Sequence, residues 1–207
     1  LLDDSVQRVD ANLAWLGKGL SPASFGDLLA LLGTTWQVLK PLLKGRPAAA
    51  QVPQVDELAE RLLQEAERLT ASLQHAGAVP SLQVLNVAGR QRMLSQRFAK
   101  MALMDLLGID DGAAGRSAAM TEVQGDFERA LAYLDGLPLS TPDIRTALDE
   151  AAIGWQQMLA ATPQDRRPAG RDRRMRLETV ANASESLLDR FEQLSTHYEG
   201  SMQMLMG

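Results

Sequence analysis

RRMRLETVANASESLLDRFEQLSTHYEGSMQ, residues 173–203, decides the fold. Within it and just beyond, Leu177, Val180, Ala181, Ser184, Leu187, Leu188, Phe191, Leu194, Tyr198 and Leu205 recur at three- and four-residue steps, one apolar stripe of a long amphipathic helix. Unbroken from Arg173 to Gln203, that helix would be about 45 Å long at 1.5 Å per residue. The same period runs through the rest of the chain, and no stretch alternates as a strand does. Breaks containing Gly and Pro near 17–22, 45–54, 76–81, 108–115, 136–142 and 162–170 predict seven helices, at about 2–17, 22–44, 54–75, 81–107, 115–135, 142–161 and 172–204. Ser21-Pro22 and Thr141-Pro142-Asp143 each set a capping hydroxyl before a Pro at the first helical position. The expected class is all-α, built of antiparallel up-down helical bundles with short connections.

The chain also repeats itself. Val9-Asp10-Ala11-Asn12-Leu13-Ala14-Trp15-Leu16, then Ser21-Pro22, then Trp36, recurs as Phe127-Glu128-Arg129-Ala130-Leu131-Ala132-Tyr133-Leu134, then Thr141-Pro142, then Trp155. Trp15 to Trp36 spans 21 residues and Tyr133 to Trp155 spans 22; a further 22 lead from Trp36 to Leu58 and from Trp155 to Leu177. A shared period of about 119 residues across three helices points to duplication. The expectation is two tandem four-helix modules, a first over 1–78 that lacks one helix or borrows it, and a complete second over 79–207. The counterpart of helix 81–107 would precede Leu1, and a chain starting at Leu rather than Met is expected to have sequence upstream.

Composition narrows function by exclusion. The 207 residues carry a net charge of −5 and no Cys, which removes disulfides, thiolate metal sites and Cys nucleophiles. An acidic total disfavours nucleic acid, whose binding needs phosphate neutralisation. No apolar run approaches the roughly 18 residues of a membrane span. His75 and His197 lie in different copies without metal-ligand spacing, and no Glu-x-x-His pair supports a di-iron bundle, so no metal or cofactor is expected. Ser without a His/Asp pattern and the absence of a phosphate loop leave an enzyme unsupported. Met202, Met204 and Met206 read as core filler, and Arg166, Arg167, Arg171, Arg173 and Arg174 as a solvated basic run, with a surface for an anionic partner as the rival reading.

One stretch departs from this ordinary background. From Leu69 to Met104 there is no Asp or Glu, where composition would place about four or five, yet Arg90, Arg92, Arg97 and Lys100 lie within it. Their charges need carboxylates from other helices, solvent or a bound anion. At about 100° per residue, one face of this helix carries Val87, Leu94, Phe98 and Met101 with Arg90 and Arg97 at its edge. Nearly opposite lie Leu85, Ala88, Ala99 and Leu103, with Arg92 mid-face and Gly89 and Gln96 beside it. The first face is expected in the bundle core and the second, rich in small residues, against another helix, expected from a second subunit. Two Arg92 guanidinium groups meeting near a dimer axis would repel, and a planar oxyanion between them would relieve that.

Asn86-Val87-Ala88-Gly89-Arg90-Gln91-Arg92-Met93-Leu94-Ser95-Gln96-Arg97-Phe98-Ala99-Lys100 resembles the signature of the PilJ-type sensor domain, found at the N-terminus of type IV pili methyl-accepting chemotaxis transducers and in nitrate- and nitrite-sensing receptors. The resemblance extends over about 81–204, and residues 1–80 resemble the latter three-quarters of another copy. It implies a non-enzymatic, dimeric four-helix sensor of the periplasm, either the outer part of an inner-membrane receptor or a free periplasmic protein, with membrane association through segments outside residues 1–207. It further implies nitrate or nitrite bound near the dimer axis, with Arg92 at the anion-contacting position, Gly89 in the same pocket, and Arg90, Ser95, Gln96 and Arg97 in support. The rival expectation is a helical interaction module that docks a pilus or signalling partner without a small ligand.

Overall fold

The computed structural model describes residues 2–45, 48–77, 80–109, 113–138, 141–162 and 169–206. Among these the seven predicted helices form and no strand does: α1 (Leu2–Gly19), α2 (Pro22–Leu42), α3 (Val52–Gly77), α4 (Pro80–Leu107), α5 (Ala113–Asp135), α6 (Pro142–Ala161) and α7 (Gly170–Met206). A short 3-10 turn, Ala49–Gln51, precedes α3. The Thr141 hydroxyl caps α6 by accepting from the Ile144 N–H at 3.3 Å, whereas Ser21 makes no such bond to α2. Gly108 ends α4 at φ +73°, with Ile109 N–H donating to the Met104 carbonyl and Gly108 N–H to Asp105, a Schellman closure that favours glycine. The helices fall into two compact units, residues 1–79 and 80–207.

In unit 2, α4 packs on α5 and α7, and α6 on α7, while α5 meets α6 sparsely. Consecutive helices are antiparallel. Gln96 and Arg92 of α4 meet Ser184 and Glu192 of α7 in reversed order, as Gly154 and Glu150 of α6 meet Leu187 and Arg190. The diagonal pair α5 and α7 is parallel, since Phe127 faces Phe191 and the Leu134 carbonyl accepts from Tyr198 Oη at 3.2 Å. The core is one continuous cluster. From α7 it takes Val180, Ala183, Leu187, Phe191, Leu194 and Tyr198, essentially the stripe expected, with Ala183 inside in place of the exposed Ala181. Trp155 lies at its centre, stacked on Phe127 with centroids 3.9 Å apart and edge-on to Phe98 at 4.9 Å.

Burial pushes the Tyr198 phenol up to about 12, and the neighbouring Asp135 and Tyr133 add to the shift. An unfolded tyrosine ionises near pH 10. Between these values the unfolded chain binds fewer protons than the folded one, so stability falls as pH rises, whereas below pH 10 the protonated phenol carries no pH dependence. The urea midpoint of unit 2 should therefore drop between pH 9 and pH 11, and Tyr198→Phe should flatten that slope. Equal slopes in both proteins would count against it.

Unit 1 has three helices, with α2 packed mainly on α3 and less extensively on α1. Its core is small: Trp36, Leu39 and Leu58, flanked by half-buried side chains such as Val9, Leu13 and Leu62. No residue of α1 is fully buried. Trp36 Nε1 donates to Asp10 Oδ1 at 2.8 Å, and Lys40 Nζ reaches Asp10 Oδ2 at 2.7 Å. The Lys40 bond first and the Trp36 bond second hold the Asp10 carboxyl below the usual aspartate range. In unit 2 the corresponding Trp155 Nε1 points at Glu128 Oε1, the carboxylate at the position equivalent to Asp10, at 3.5 Å. Trp36 and Trp155 are both buried, and Trp15 and Tyr133 are both exposed. Thr35 donates to Glu65 of the next helix at 3.0 Å; Gly154, at the equivalent place on α6, abuts Leu187.

Candidate functional site

The central stretch of α4 runs between α5 and α7, and each signature residue takes its environment from one of them. Arg90, exposed, pairs with Asp126 of α5 at 3.1 Å, and Asp126 also accepts from Arg129. Arg92 reaches Glu192 of α7 at 3.6 Å and keeps about a third of its side chain, 32%, in solvent. Carboxylates on neighbouring helices thus answer two of the charges that the acid-free stretch cannot satisfy itself. Gly89 is exposed, and a Cβ placed there would meet nothing within 4 Å. Gly89, Arg92 and Gln96 follow one another along the α4 edge that borders α7. Gln96 Nε2 donates to the Ser184 carbonyl at 2.9 Å, so Gln96 ties the two helices together. Ser95 is fully buried, its hydroxyl spent on the Arg92 carbonyl at 2.9 Å. Arg97 is half-buried. Gly89 and Arg92 thus share an open stripe, with Gln96 one turn further, while Ser95 lies inside and Arg90 points to α5.

The small-residue face requires a correction. Ala88 is 0% exposed and Ala99 2%, and Leu103 packs against the core of the same chain, so this face does not await a second subunit. The side chain of Leu85 lies outside the described residues, as do those of Met202, Met204 and Met206 and all of Arg166 and Arg167. The cause is the square arrangement of the bundle: α4 touches both α5 and α7, so two of its faces are covered within one chain. A helical wheel counts the faces to be covered and cannot say which molecule covers them.

Sequence reasoning also missed two buried polar groups. Gln91, between the two arginines, is wholly buried, its Nε2 donating to the Phe127 carbonyl at 2.9 Å and its Oε1 without a hydrogen-bond partner. Arg116, buried at the start of α5, donates to Asp105 at 2.7 Å and to the Ile109 carbonyl at 2.9 Å, which pins the end of α4 to α5. Neither has a periodic signature, since each is an exception to the rule that apolar residues face inward.

Unit 2 is an antiparallel four-helix bundle with Arg90 and Arg92 on the edges of α4. Residues 78–177 match the PilJ family model, the type IV pili methyl-accepting chemotaxis transducer N-terminal domain. The matched stretch, just under half of the chain, runs from α4 to the first turns of α7 and is similar to that transducer domain. Such domains are typically extracytoplasmic parts of receptors; no described helix is long and apolar enough to cross a membrane. No curated protein and no solved structure matches the chain.

Proposed function

We propose that unit 2 senses a small oxyanion, nitrate or nitrite, through Arg92 and Gly89, with Arg90, Ser95, Gln96 and Arg97 shaping the helix around them. The observation that carries this reading is the open Gly89–Arg92 stripe at the α4–α7 edge, inside the matched domain. A glycine there lets a second backbone or an anion approach closely, and a planar guanidinium matches a planar oxyanion. Glu192 holds Arg92 when no anion is bound, and a nitrate would compete with it for the same N–H groups. The site is completed in a homodimer, where two Arg92 stripes face one anion in the periplasm, with the membrane reached through segments outside residues 1–207. Binding biases the α4–α7 contact, and α7, one helix of 37 residues, carries the shift onward. Unit 1 is a three-helix copy of the same module, a reading supported by the equivalent Trp36–Asp10 and Trp155–Glu128 contacts.

Arg92→Ala should leave the helical spectrum intact and abolish nitrate-induced stabilisation. Wild type in nitrate at 100 times its dissociation constant should gain about 2.7 kcal/mol. Arg92→Lys should also bind poorly, since an ammonium keeps the charge and loses the fork. Chloride at matched ionic strength controls for screening. A melting shift no larger in nitrate or nitrite than in chloride, or one retained by Arg92→Ala, rejects the site.

A second reading is favoured by unit 1 alone. Trp15 is 72% exposed, and Leu31 and Val38 of α2 stand about half exposed one above the other. Such apolar side chains suit a helical interaction module docking a pilus or signalling partner. Under that reading nitrate titration gives no saturable heat.

A further inference from the structure

In unit 2 the helix that closes the bundle is α4, seated between α5 and α7. Among the described helices of unit 1 none takes that place: α2 packs on α3 and α1, as α6 packs on α7 and α5. Burial records the difference. Phe127 and Leu134 of α5 are 0% exposed, whereas Val9 and Leu16, their counterparts on α1, are half-buried. On α3, Leu58 and Leu69 are buried, and Glu65 turns to α2, where it accepts from Thr35 at 3.0 Å. At about 100° per residue, Ala59, Leu63 and Ala66 lie on the other flank of α3, away from α2, and are half-buried. The corresponding flank of α7 is the one that meets α4, through the Ser184 carbonyl and Glu192.

The two rims of this side carry charges of opposite sign. Beyond Leu63 the α3 rim is acidic, with Glu60 and Glu67, as the α7 rim is with Glu192. The α1 rim carries Arg8, at the place where α5 has Asp126, the partner of Arg90. Trp15, 72% exposed, stands two turns further along the same flank. An apolar strip running along two helices, between an acidic and a basic rim, fits an amphipathic helix laid into it. The rims fix its charge pattern, since unlike charges admit a helix and like charges reject it. The inference rests on the reading of unit 1 as a three-helix copy of the unit 2 module.

We propose that the α1–α3 side of unit 1 docks an amphipathic partner helix, its basic edge on Glu60 and Glu67 and an acidic side chain on Arg8. The probe is a labelled peptide of residues 80–107 carrying Arg90→Glu, titrated into the intact chain and followed by fluorescence anisotropy. The comparator is the same peptide with Arg90. A chain of net charge −5 attracts the more basic comparator through its overall field. The comparator also suits the place of α4 in unit 2, where Asp126 holds Arg90. Only docking beside Arg8 favours the Arg90→Glu peptide, which should bind saturably and about threefold tighter. Leu63 lies outside the core of unit 1, so Leu63→Gln should fold and weaken binding about tenfold. Arg8→Asp, at an exposed position, should reverse the ranking of the two peptides. Absence of saturable binding overturns the proposal, as does a comparator that binds as tightly, or a variant of either kind that changes nothing. A dimer in sedimentation that Leu63→Gln dissolves would give this side to a second copy and overturn it too. Such a failure would leave the copy reading in place, since that stands on the Trp36–Asp10 and Trp155–Glu128 contacts.

Discussion

Trp155→Ala should cost unit 2 about 3–5 kcal/mol, the range for deleting a fully buried tryptophan. The side chain is 1% exposed and joins three helices at once: it stacks on Phe127 of α5, meets Phe98 of α4 edge-on, and belongs to α6 itself. Its removal opens a void that the rings on two other helices can fill only by leaving their stacked geometry. A domain of this size has roughly 5–15 kcal/mol in hand, so the variant should melt far below wild type or fail to fold at its production temperature. Trp15→Ala, at a surface position, should change the melting temperature little. Thermal unfolding followed by circular dichroism separates the two, and a Trp155→Ala protein as stable as Trp15→Ala would mean that the core does not close around this ring.

Ala88→Glu should be at least as damaging, and it decides how the small-residue face of α4 is used. Ala88 has no exposed surface within the single chain, so a glutamate there must either displace a neighbouring helix or lie buried without a partner. Leaving a charge buried and unpaired costs several kcal/mol, about 3–5 where a partner has been removed. Ala99→Glu should behave alike. The expected result is loss of the cooperative transition of unit 2, read as red-shifted tryptophan emission and lost helicity. Sedimentation that showed a folded monomer from either variant would instead return this face to a subunit interface.

Within the candidate site the division of labour between sequence and structure is uneven. The acid-free stretch and its arginines were legible as a segment that must find charge elsewhere, and the resemblance of residues 86–100 to the PilJ signature agrees with the family-model match over 78–177. The partners were not legible. Asp126 lies 36 residues from Arg90, and Glu192 lies 100 residues from Arg92, on helices whose facing edges depend on how the bundle closes. Gln91 and Arg116 escaped for a related reason: a polar residue is placed in a core by one specific acceptor, here the Phe127 carbonyl or Asp105, and no periodicity announces that acceptor.

By itself the sequence determined where the helices are. Helix formation is local: the 3.6-residue period, the Pro at the first turn of α2 and α6, and the glycine that closes α4 all act within a few residues. The seven segments therefore form close to the places their pattern sets, and Trp36 and Trp155 each direct the indole N–H to a carboxylate of the preceding helix, Asp10 and Glu128. Only the tertiary structure decided what each helix face meets. Burial is a property of the assembled bundle, and an apolar or small-residue face is satisfied equally well by a helix of its own chain or of another. Ala88 and Ala99 are covered from within because α4 has two neighbours at once, and Gly89, one residue from Ala88, remains open because the helix turns it about 100° away from that cover.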